Sequence, residues 1–218
     1  MKIKLPENQS EITLGQYQKY LKIIERLESN ELDTYTFNRR KIVLFTNLLF
    51  KDTSNITQID FESIINQIDI ALNEQAVFKS RFKLGGVEFG FIPNINNITS
   101  EEMMHLDALD SITQGEFIDA SNNTNDVENL HKLMAVLFRP ITNKDSFGNY
   151  EIASYSGTKQ YCELMKEIPL SIANGALFFF VNLATELQEA IQKYTKEVQK
   201  KGTAQATTFK SGVGTLPS

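Results

Sequence analysis

The 218-residue sequence has few of the residues that staple or break a chain: one cysteine, five prolines and 11 glycines. The single cysteine, Cys162, excludes an internal disulfide framework and a cysteine-based zinc site. Only two histidines are present, His105 and His131, and no further clustered ligand accompanies either, so no metal is expected. Basic residues are not in excess. Lys and Arg number 22 against 27 Asp and Glu, a net charge of −5, which gives no electrostatic footprint for direct contact with nucleic acid. The start, Met1 to Pro6, turns polar at Glu7 and has no apolar run of signal-peptide length. The most apolar window, Ile168 to Ala184, is interrupted by Pro169, Asn174 and Gly175 and reads as a buried helix rather than a membrane span.

What is present is a globular composition, 41% hydrophobic and 22% charged, which excludes collagen-like and wholly disordered chains. A chain of this length buries on the order of 70% of its unfolded surface and needs no staples. With one cysteine and no targeting segment, synthesis in a reducing cytoplasm is the expectation.

Helical periodicity dominates the first third. Leu14, Tyr17, Leu21, Ile24 and Leu27 share a face over Thr13–Glu28. Further helices are predicted over about Asn38–Phe50 and Ile59–Gln75, joined by short polar breaks that suit a bundle. At Phe78 the period changes to two. Phe82 and Leu84, then Gly85-Gly86, then Val87, Phe89 and Phe91 predict a hairpin whose turn needs positive φ. No Lys-Ser or Lys-Thr follows those glycines, so a phosphate loop is not indicated.

A short motif occurs three times: Ile12-Thr-Leu-Gly-Gln-Tyr17, Ile98-Thr-Ser-Glu-Glu-Met103 and Ile112-Thr-Gln-Gly-Glu-Phe117. In each, Thr precedes Gln or Glu by three residues, the spacing of a capping box, so Thr13, Thr99 and Thr113 are predicted helix N-caps. Further on, Asp126–Phe138 is predicted as a helix ended by Arg139-Pro140. A loop is predicted over Ile141–Ser156, a helix around Gly157–Glu167, and a long helix from about Pro169 to Lys200. The expected fold is therefore mainly α: six to seven helices, a small β-hairpin and an extended C-terminal arm. The expected division is 1–76, an N-terminal helical part; 77–201, hairpin plus helical core; and 202–218, the arm.

Residues 193–218 carry five lysines against one glutamate, net +4, leaving −9 on the rest. The helix breakers at Gly202, Gly212, Gly214 and Pro217 exclude a regular helix there, yet Phe209, Val213 and Leu216 are retained. With Lys210, these residues read as anchors of an arm that docks on an acidic neighbouring copy. Chemistry is sparse by comparison. Glu101 and Glu102 lie four and three residues before His105, while Glu116 and Asp119 form an i, i+3 carboxylate pair. Capping accounts for Glu116, Asp119 reads as a solvated or ion-paired residue, His131 as a hydrogen-bonded core-edge residue, and Cys162 as a small buried hydrophobe. No nucleophile signature or cofactor box is present, and no cofactor is expected.

The stretches Phe82–Asn94, Ile112–Asp119 and Leu130–Ile141, with Ile12–Tyr17 and Tyr150–Gly157, resemble a family encoded by tailed bacteriophages of Bacteroidetes hosts, the crAss-like group among them. The likeness covers roughly residues 1 to 200. This chain departs from the pattern by a segment at Thr99–Leu109 and by Ala120 in place of an aliphatic residue. The resemblance implies a virion structural role, as a ring-forming subunit of the neck or tail at the head-to-tail connection. Its partners would be copies of itself and other neck or tail proteins, with no membrane and no direct nucleic acid. It would reside in the host cytoplasm during assembly and then in the virion. A transient tail assembly chaperone is the alternative, and a small enzyme using Glu116, Asp119 and His105 a remoter one.

Overall fold

The computed structural model describes residues 3–94, 98–102, 124–157, 159, 161–179 and 182. The features at His105, Thr113, Glu116 and Asp119, and the arm residues Phe209, Lys210, Val213 and Leu216, lie outside the described residues. Met1–Phe178 makes one compact unit and Phe179–Ser218 a second.

The first unit opens with three helices: α1 (Leu14–Glu28), α2 (Thr34–Phe45) and α3 (Gln58–Leu72). Each start is fixed by a local oxygen. The Thr13 hydroxyl accepts from the Gln16 amide at 3.1 Å while Gln16 Oε1 accepts from the Thr13 amide at 2.9 Å, a complete capping box. Asp33 accepts from the Thr36 amide and hydroxyl, which holds its carboxyl below the usual range, and Thr57 caps α3. The first capping motif does a second job. Leu14 N donates to Ile168 O, Gly15 N to Lys166 O and Leu170 N to Ile12 O, so the start of α1 is pinned across residues 166–170. A Cβ on Gly15 would lie 3.1 Å from Lys166 O, which explains the glycine in that motif. Thr13→Ala removes the hydroxyl that the first free amides of α1 need; the expected cost is about 1 kcal/mol in chemical denaturation.

Helix α2 packs between α1 and α3. It begins at Thr34 and ends at Phe45, earlier at both ends than the pattern predicts, and Phe50–Asn55 is a separate 3-10 segment. Thr46 ends the helix by turning its hydroxyl back to Ile42 O at 2.7 Å. Lys41, only 3% exposed, pairs with Asp69 of α3 and lies 5.7 Å from the Tyr20 ring, so the cation is paired rather than stranded. Burial, with Asp69 nearby, pushes the Tyr20 hydroxyl up to about 12.

The small β-hairpin is corrected to half of a four-stranded antiparallel sheet, making the fold mixed α and β. Strands β1 (Arg81–Leu84) and β2 (Val87–Phe91) turn through Gly85 and Gly86 at φ +57° and +80°, a two-residue turn with both φ positive. Helix α4 (Thr124–Leu137) then runs directly into β3 (Phe138–Lys144), which pairs with β2 and with β4 (Tyr150–Ile152). The predicted loop over Ile141–Ser156 is thus largely a second hairpin. The β2–β3 register opposes Phe91 to Phe138 and Phe89 to Pro140, and the β3–β4 register opposes Ile141 to Ile152 and shifts between Ile141 and Asn143. Pro140 marks the end of the helix as expected, because a residue before proline prefers extended backbone; the chain then stays extended.

One aromatic cluster joins the sheet to the helices. Phe89 and Phe138 are fully buried, Phe82 stacks on Phe89 at 5.6 Å, and Phe78 meets Phe91 edge-on at 5.0 Å. Leu130, Leu133, Met134, Val136 and Leu137 are all buried, so the C-terminal half of α4 is enclosed nearly all round. The helix predicted around Gly157–Glu167 is one turn, α5 (Cys162–Met165). Pro169 forms an isolated bridge with Thr13 and precedes a helical stretch over residues 170–179. Among the described residues no helix is long and apolar enough to cross a membrane.

Candidate interaction surface

Most large apolar side chains among the described residues of the first unit are buried or half-buried, which makes the exposed ones informative. Tyr35, Leu49, Phe50, Ile59, Ile70, Val77, Val87, Phe147 and Phe178 are exposed. Two groups of them have local structure around them.

The first group lies on the helical layer. Arg39 Nε donates to Thr53 Oγ1 at 2.7 Å and its Nη2 to Phe50 O at 2.8 Å, which ties the 3-10 segment back onto α2. The same guanidinium stands 4.0 Å from the Phe50 ring centroid and 5.5 Å from that of Tyr35, and Tyr35 stacks on Phe61 of α3 at 5.8 Å. An open groove of about 440 Å³ lies alongside, floored by Ile23, Val43, Leu44 and Phe50 and rimmed by Lys19, Lys22 and Arg40. Among the described residues no carboxylate lines it, and none provides a hydrogen-bond partner for the buried Arg40 Nε.

The second group is the tip of the β3–β4 turn. Phe147 is 90% exposed, yet the turn beneath it is fixed. Asp145 Oδ1 accepts from the amides of Phe147 at 2.9 Å and Asn149 at 2.8 Å, and Oδ2 accepts from Asn149 Nδ2 at 2.6 Å. Gly148 adopts φ +90°, which the tight return needs. The hydrogen bond from the Asn149 side chain, with those from the backbone amides, holds the Asp145 carboxyl below its usual range.

Thr99 sits as Thr13 does, with its hydroxyl 3.2 Å from the Glu102 amide and Glu102 Oε2 accepting from the Thr99 amide at 2.6 Å. Glu102 is also 2.7 Å from Arg139 of β3, a contact between residues far apart in sequence. His131 is buried, with its Nδ1 3.1 Å from the Gln18 amide nitrogen. The fold brings His131, Cys162 and Glu163 together, one donor atom from each within 4.8 Å of the others. No spacing in the sequence announces that trio. A cation there would need donors only about 3–4 Å apart and would have to displace Lys166, whose ammonium holds both Glu163 oxygens at 2.8–2.9 Å. Beside it lies a cavity of about 700 Å³ whose described lining carries Lys19, Lys22, Lys132 and Lys166 against Glu167, a field that opposes a dication. Cys162 is half-buried and its thiol lies 3.7 Å from Lys159 O.

No family model, no curated protein and no solved structure matches the chain.

Proposed function

We propose that the protein is a structural subunit of a tailed-phage virion that packs side by side with copies of itself into a ring of the neck or tail. The observation that carries the reading is the pair of exposed apolar features with built local structure, the Tyr35–Arg39–Phe50 ridge with its groove and the Phe147 turn. Tyr, Phe and Arg presented in fixed geometry are what association surfaces use, because little freedom is lost when they are covered. The resemblance of Phe82–Asn94 and Leu130–Ile141 to a phage family supplies the biological setting. The function is mechanical: contact between neighbours, with the C-terminal segment 193–218, net +4, reaching onto an acidic body.

Sedimentation velocity on the full chain is expected to show a discrete oligomer whose population grows with concentration. Deleting residues 203–218 is expected to leave the melting transition of the body unchanged and to reduce that oligomer sharply. A full chain that stays monomeric at every concentration contradicts the ring reading; a truncated chain that assembles normally contradicts the role given to the arm.

A further inference from the structure

We propose that Phe147 of one copy inserts into the α1–α2 groove of the next, so that the ring closes through a head-to-tail contact; the inference rests on the ring reading above. Three observations fit these two surfaces to each other. The Phe147 side chain stands almost wholly in solvent at the tip of a turn that Asp145 and Gly148 have already fixed, so docking it orders no loop. The groove is open, of a size for an aromatic ring, and floored by Ile23, Val43, Leu44 and Phe50. Among the described residues its rim carries cations and no acid, whereas the turn brings an ionised carboxylate two residues from the phenyl ring.

Knob and groove belong to different elements of the same chain, the β3–β4 turn and the α1–α2 pair. Each copy therefore offers both halves of the contact, and one interface repeated around an axis generates a ring when its rotation closes. Two copies docking knob into groove reciprocally would instead make a closed dimer, so a species limited to two copies in sedimentation velocity overturns the ring closure.

The test uses the full chain with the photoreactive analogue p-benzoylphenylalanine at position 147, which keeps an aromatic knob. Irradiation followed by peptide mapping is expected to give crosslinks between copies on peptides containing Ile23 or Val43–Phe50. In parallel, Phe147→Asp is expected to weaken self-association by roughly 10–100-fold with an unchanged melting temperature, since the side chain makes no core contact. Crosslinks that map elsewhere on the neighbouring copy, or onto another virion protein, overturn this interface. Oligomers that persist at wild-type concentration in Phe147→Asp also overturn it while leaving self-assembly intact. A wild-type chain that never associates removes the ring reading itself.

Discussion

Arg139→Met is expected to lower the stability of the body by about 3 kcal/mol, the largest effect of any single charge removal among the described residues. The Glu102 carboxylate is 2% exposed and faces the Arg139 guanidinium, which is itself only 12% exposed. Burial pulls the Arg139 pKa down and the facing Glu102 carboxylate draws it back up. Removing the cation leaves a buried anion with the Thr99 amide as its remaining support, and desolvation of that charge goes uncompensated. The melting temperature should fall by roughly 6–12 °C for a chain of this size. Pairing the change with Glu102→Leu should recover much of the loss, because the orphaned charge disappears with it. A single-variant shift below about 2 °C would mean that the pair is more hydrated than its burial implies.

Gly175→Ala should cost about 1–3 kcal/mol, against the direction that helix propensity gives. Within a helix, alanine is ordinarily favoured over glycine by about 1 kcal/mol. Here a Cβ would lie 2.8 Å from Val77 O and 3.0 Å from Phe78 Cα. Both obstacles are backbone, so no side-chain rotation relieves them. The segment must move, and Phe78 carries that movement into its edge contact with Phe91. Equilibrium urea unfolding checks the sign: a variant more stable than wild type would show that the approach of residues 77–78 to the helix is looser than described.

The parts of the fold legible in the sequence are those whose causes are local. The Thr13 capping box lies within four residues, and the Gly85-Gly86 turn is dictated by two positive φ angles. Strand β3 was not legible. Its run of Arg139, Pro140, Ile141, Thr142 and Asn143 has weak alternation and a proline, and it becomes a strand because β2 offers it an edge. The early end of α2 has a similar cause, a threonine hydroxyl that competes for a carbonyl the apolar pattern would have left in the helix. At the interaction surface, Phe50 read as the end of an apolar stripe, and only the fold separates it from α2 and opens the groove beside it. Phe147 falls within the loop predicted over Ile141–Ser156, but its exposure depends on β3 and β4 pairing beneath it. Glu102 with Arg139, and His131 with Cys162 and Glu163, meet only in three dimensions.

Quantitative mass spectrometry of purified phage particles tests the central claim most directly. A ring subunit is expected in every particle at a fixed stoichiometry of several copies, unchanged by further rounds of purification and by washing in high salt. Absence from mature particles, with abundance confined to infected-cell extracts, would contradict the structural role and assign the chain to assembly alone.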